Sequence, residues 1–187
     1  MSSPDFTALN AYAKAFARLD DEKIQTLHGL NDQIQTYLPE VTEQFYAHLV
    51  TIEQAKPFLA GRIDGLKKTH LAWTASLFTS DFDEEYTAFM YHVGDVHVQV
   101  ELPIEFMSAG TTLIQEGFIK AILTLCPDDS TQQNKYLAAI NASLGFSLVT
   151  MQESYQNSSL AGELEKFLKI TGMSRRLFDN LARAYSV

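Results

Sequence analysis

The chain has little cysteine, proline and glycine, and each shortage excludes a class of protein. Its one cysteine, Cys126, has no partner for an internal disulfide, and a thiolate metal cluster would need several cysteines. A reducing cytoplasm is therefore the expected location. Five prolines and nine glycines among 187 residues interrupt the chain rarely, so long helices are expected.

Long apolar runs and basic clusters are also missing. No apolar stretch approaches the roughly 20 residues that a membrane-spanning helix needs, and the start, MSSPDFTALN, lacks the basic and apolar parts of a secretory signal. The formal net charge of -9 argues against nucleic acid or anionic lipid as a partner. Because phosphate loops, nucleophile elbows and paired-histidine zinc motifs are absent, no catalytic residue is predicted.

Apolar residues recur at steps of three and four nearly throughout, which predicts an all-α domain. A final long helix is expected from Thr131 to about Gln156, capped by Ser130 and followed by a polar break and a helical tail. It is apolar on more than one face, so it is either a central core helix or meets a partner subunit. The other helices are predicted over residues 4–19, 20–37, 39–50, 53–59, 62–78, 83–100 and 103–125.

The segment 83–111 is the most informative part of the sequence. Its helix carries a stripe that includes Val93, and His97 lies beside that stripe before Pro103 opens another helix. A histidine on a helix that soon ends, faced by a second apolar helix, is the arrangement that a haem iron needs. Spacing alone leaves the ordinary alternative open, since a lone histidine in an apolar helix is usually a core residue. His92 is the second candidate for an axial ligand.

Two further helices contain candidate pocket residues. Tyr46 could donate a hydrogen bond to a gas molecule, although a core tyrosine with a surface hydroxyl is the simpler interpretation. On the 62–78 helix, Leu66 and Thr69 would present one apolar and one hydroxyl group to the same cavity. Phe45, Trp73 and Phe106 are interpreted as packing residues that would also line a haem pocket.

The three segments FYAHL, LKKTHLAWTASLF and YHVGDVHVQVELPIEFMSAG resemble the sensor globin domain of the globin-coupled sensors, a bacterial family of haem-based gas sensors. His97 and Pro103 match the proximal pattern, and Phe45-Tyr46 matches the distal Phe-Tyr pair. Leu66 and Thr69 fill the two distal-helix positions. Glu101 stands where a glycine is common, and Glu105-Phe106 replaces the Trp-Tyr pair of some members.

The resemblance implies a globin-like helical sandwich with an additional N-terminal helix, binding haem b. His97 would be the metal ligand, and O₂ would be the gas, with CO or NO as further ligands. It implies a sensor domain over residues 1–157, and a helical linker or the start of an output region over 158–187. A homodimer through residues 103–125 and 131–156 is expected, with a C-terminal output domain such as a diguanylate cyclase. The remaining cofactor-binding residues would be Tyr46, Leu66, Thr69, Phe45, Trp73, Val93 and Phe106.

Two other functions stay open at this point. A haem-free helical dimerisation or adaptor module would use His97 and Tyr46 only for packing. A globin enzyme that consumes O₂ or NO would require a source of electrons, and these residues contain no reductase domain to supply them.

Overall fold

The computed structural model describes residues 4–185, and those residues form helices without a β-strand, which confirms the all-α prediction. No helix in this range is both long and apolar enough to cross a bilayer. The helices are α1 Phe6–Ala17, α2 Asp21–Ile34, α3 Leu38–Leu49, α4 Lys56–Leu59, α5 Ile63–Ser76, α6 Glu84–Gln99, α7 Ile104–Leu125, α8 Ser130–Thr171 and α9 Arg175–Tyr185.

Aspartate side chains begin four of these helices. The carboxylates of Asp5, Asp20, Asp83 and Asp129 each accept a hydrogen bond from the backbone N–H three residues later, at 2.9–3.0 Å. A carboxylate in this position satisfies a free N–H and opposes the positive end of the helix dipole. The prediction that Ser130 caps the last long helix was wrong by one residue, because Asp129 is the cap.

The predicted polar break after Gln156 was also wrong. α8 continues without interruption to Thr171 and ends at Gly172, whose φ of 69° is the left-handed conformation that closes many helices. The serines that indicated a break are accommodated within the helix, and the Ser158 hydroxyl donates to Asp95 on α6. A helix of this length extends about 63 Å.

The long helix α8 is the centre of the fold. It packs against α1, α2, α6 and α7, while α3 packs against α7 and α5. Among its apolar residues, Ile140, Leu144 and Met151 are buried within the chain. This part of α8 therefore serves the core, the first of the two roles considered for the helix.

α6 and α8 approach each other very closely. At Gly94 a Cβ atom would overlap the carbonyl oxygen of Met151 and come within 2.8 Å of the Ser154 Cβ. Next to it, the Asp95 carboxylate accepts hydrogen bonds from the hydroxyls of Ser154 at 2.6 Å and Ser158 at 2.5 Å. Short bonds from hydroxyls to a carboxylate are stronger than neutral ones. This contact fixes α6, the helix that carries His97, on the central helix.

α5 and α6 do not pack closely against each other. α5 packs against α3, and α6 packs against α8 and α1. Two apolar residues of the predicted α6 stripe, Phe89 and Val96, remain 48% and 39% exposed, whereas the buried positions of α6 include Met90 and Gly94. The fold therefore leaves an apolar side of α6 uncovered by the rest of the described chain.

Candidate functional site

His97 lies in the last turn of α6 and is half-buried. Its Nδ1 atom is fully buried, and within residues 4–185 neither ring nitrogen has a hydrogen-bond partner. Burial lowers the pKa of His97, and the nearby carbonyl of Val93 opposes this shift without meeting hydrogen-bond geometry. The ring is therefore held neutral, the form in which imidazole binds a metal.

The turn after His97 places a residue in the left-handed backbone conformation. Glu101 has a φ of 55°, the left-handed conformation that side chains other than glycine and asparagine adopt at a cost. The Leu102 N–H then donates to the His97 carbonyl at 3.0 Å, and Pro103 leads into α7. This turn ends α6 at Gln99, two residues after His97.

Tyr46, on α3, belongs to a small apolar cluster beside the main core. Its ring is buried, with 6% of the residue exposed, and Phe45, Leu66 and Phe106 pack against the cluster. The hydroxyl is not fully buried, and it makes no hydrogen bond with any residue between 4 and 185. Burial raises the pKa of Tyr46 to about 12, so the phenol keeps its proton and remains a donor.

The other predicted site residues lie apart from this cluster. Trp73 and Val93 are partly buried against the main core. Thr69 is exposed, and its hydroxyl donates to the Leu66 carbonyl at 3.0 Å within its own helix. The structure thus brings Phe45, Leu66 and Phe106 around Tyr46 and places Thr69, Trp73 and Val93 outside that group.

His70, on α5, also contacts Tyr46, although the sequence did not predict a role for it. Its ring stacks on Phe45 with centroids 4.8 Å apart and planes 2° from parallel, and it meets the edge of Tyr46 at 5.7 Å. Its Nδ1 atom pairs with the Thr42 hydroxyl at 3.1 Å. In the sequence, His70 lies four residues after Leu66 and three before Trp73, a helical spacing that does not indicate a contact with α3.

Unpartnered buried nitrogens are concentrated on α5 and α6. Among the side chains of residues 4–185, they are His70 Nε2, Trp73 Nε1 and His97 Nδ1. Buried polar atoms usually have a partner, and an exception commonly marks a bound group or water. The exceptions here lie on α5 and α6, two helices with few contacts to each other.

Comparison with known proteins assigns the family. The protoglobin family profile matches residues 7–160. The chain belongs to the protoglobin family. The fold matches the globin domain of the Geobacter sulfurreducens globin-coupled sensor with a TM-score of 0.71 and 26% identity, covering 78% of this chain and 96% of that one. A search of curated proteins found no significant match.

The resemblance to a sensor globin and the globin-like fold are thus confirmed, and the family implies that haem is bound. The residues present are compatible with that group. A neutral imidazole with unpartnered nitrogens lies on α6, and apolar side chains of that helix are left uncovered. Haem is a flat, largely apolar group that requires one axial donor, and the imidazole of His97 is chemically suited to that role.

Acid should destabilise this protoglobin through His70. Burial lowers the pKa of His70 from 6.5 to about 4. Between these values the unfolded chain binds more protons, so the free energy of unfolding falls as the pH drops. After allowance for the ring's partial exposure, wild type should lose about 2 kcal/mol more than His70→Phe between pH 6.5 and 4.5. Urea denaturation at both pH values measures this, and equal losses would contradict it.

Proposed function

We propose that this protoglobin is the O₂-sensing domain of a signalling protein, with His97 as the axial ligand of haem b and Tyr46 as the distal hydrogen-bond donor. The main supporting observation is the buried Nδ1 atom of His97 on α6, which has no hydrogen-bond partner among residues 4–185. Buried polar atoms without a partner are uncommon in groups used only for packing. On α3, the Tyr46 hydroxyl makes no hydrogen bond within the same residues, and its raised pKa keeps it a donor.

Haem supplies a ferrous iron that binds O₂, CO or NO reversibly. His97 would hold that iron through Nε2, because Nδ1 is the buried nitrogen. The short Glu101 turn limits how far the histidine can move away from α7. The protein would therefore influence the iron through the position of the C-terminal end of α6, which carries His97.

On the distal side, Tyr46 would donate a hydrogen bond to the gas and would distinguish O₂ from CO by the greater negative charge on O₂. With a pKa near 12 the phenol does not ionise at physiological pH. Leu66, half-buried in the same cluster, would restrict water. Thr69 would assist only after its hydroxyl leaves the Leu66 carbonyl.

Tyr46→Phe should raise the O₂ off-rate about tenfold to a hundredfold, because a hydrogen bond to a charged acceptor contributes roughly 1.5–3 kcal/mol. The CO off-rate should change much less. Stopped-flow displacement on the haem-loaded protein measures both rates.

His97→Ala should abolish the intense violet absorption band of haem, and His92→Ala, which removes the exposed second candidate, should keep it.

The two alternative functions, a haem-free adaptor and a globin enzyme, predict different results. If reconstituted wild type shows no haem band, a helical adaptor becomes the better account. Sustained NO turnover with a supplied electron donor would favour a globin enzyme.

A homodimer through α7 and α8 is part of the proposal. Ile119 and Leu123 on α7 are exposed, and a groove where α7 begins is lined by Ile104, Tyr155 and Leu160. A second copy would cover these apolar side chains. Sedimentation of the wild type should give twice the chain mass of 21.0 kDa. Leu123→Lys should reduce the measured mass to that of the monomer. Tyr12→Lys, at an exposed position on α1, should leave the measured mass unchanged.

Transmission would run from α6 to α8 and on to an output domain, for which a diguanylate cyclase in the cytoplasm is our proposal. Gly94 and Asp95 join α6 to α8 close to His97. The proposed linker starts at residue 158 of α8. Within it, the Glu165 carboxylate accepts a hydrogen bond from Arg175 of α9 at 2.8 Å. Movement of the His97 helix would therefore reach the linker through one continuous helix.

Asp95→Ala should uncouple the linker from ligand binding, because it removes both hydrogen bonds to α8. In wild type, CO binding should change amide hydrogen exchange within residues 158–171, and the variant should lose that change while keeping its haem band. By reciprocity, its CO affinity should shift on the order of fivefold. Glu85→Ala, an exposed acid on the same helix, is the control. An identical exchange response in Asp95→Ala would refute this route.

A further inference from the structure

We propose that His70 is a positioning residue that holds the Tyr46 phenol in the orientation needed to bind the gas, and that it thereby sets the preference for O₂ over CO. The inference rests on the proposed function of Tyr46. It concerns a residue on a different helix, α5, that does not itself have to touch the gas.

The orientation of Tyr46 depends on ring packing. Because its hydroxyl has no hydrogen-bond partner within residues 4–185, no polar contact fixes the phenol. Two rings meet it nearly at right angles: Phe45 at 5.0 Å and 87°, and His70 at 5.7 Å and 85°. Edge-to-face contacts of this kind favour one relative orientation of the rings.

Both contacts depend on His70. The Phe45 ring lies flat on the imidazole, with centroids 4.8 Å apart and an angle of 2°. The ring also lies near Gly110 of α7, where an added Cβ would be 3.6 Å from its Cε2 and Cζ atoms. Loss of the His70 ring would thus release one neighbour of Tyr46 directly and the second indirectly.

The His70 ring is itself held by polar and aromatic contacts. Thr42, with 4% of its surface exposed, places its hydroxyl 3.1 Å from Nδ1, and the Trp73 ring meets the imidazole at 5.5 Å and 62°. The Thr42 bond determines the rotation of the imidazole about its own axis, which apolar packing alone would not. Burial keeps the ring neutral by lowering its pKa, so protonation does not disturb this geometry near neutral pH.

Stability does not account for an imidazole at this position. Nε2 is buried without a partner, which is unfavourable, and a phenyl ring would fill similar space without that atom. A purely structural role predicts that His70→Phe lowers the melting temperature. A positioning role predicts an unchanged or higher melting temperature together with faster loss of O₂.

The test is a double-mutant cycle on the haem-loaded protein. We expect His70→Leu, which removes the stack, to raise the O₂ off-rate about tenfold, within the range for a weakened hydrogen bond, and the CO off-rate less than about twofold. His70→Phe and Thr42→Val, which remove only the polar contact, should give smaller increases. In the Tyr46→Phe background, His70→Leu should add nothing, because its effect acts through the phenol.

A second measurement does not depend on gas kinetics. In the diamagnetic CO-bound protein, the ring signals of ¹³C-labelled Tyr46 should shift or broaden in His70→Leu, whereas the exposed His48→Leu should leave them unchanged. Unchanged Tyr46 signals or additive off-rates in the cycle would overturn the positioning role. If Tyr46→Phe alone leaves the O₂ off-rate unchanged, the proposed function of Tyr46 fails, and the ring signals still report whether His70 positions it.

Discussion

The contact between α6 and α8 is the constraint on which the site depends. Gly94 lets the two backbones approach, and the Asp95 carboxylate joins them through two serine hydroxyls. α6 packs mainly against α8 and α1, and it has few contacts with α5. The position of α6 thus depends on one glycine, because an alanine at position 94 would require α6 and α8 to separate.

Most of the fold was predictable because its signals are local. Apolar spacing, Pro103 and the run of acidic residues before α6 define helices through interactions within a few residues. The break expected after Gln156 failed for a different reason. Ser158 favours a turn when considered alone, but in the folded protein its hydroxyl binds Asp95, which is 63 residues away in the chain.

The site was predictable only in part. His97 and Tyr46 were proposed from family resemblance, since their spacing alone also fits ordinary core residues. His70 was not identified, because its role depends on how α5 crosses α3 and thereby meets Thr42 and Phe45. Helical periodicity indicates which face of α5 is apolar, but it carries no information about the neighbouring ring or hydroxyl on another helix.

The uninterrupted course of α8 has a mechanical consequence. From the Gly94 contact at Met151 to its end at Thr171, the helix projects about 30 Å. Treated as a stiff rod, it would convert a tilt of about 2° at that fulcrum into a displacement of about 1 Å at its far end. A break near residue 157 would have absorbed such a tilt as bending, so continuity makes the helix a lever.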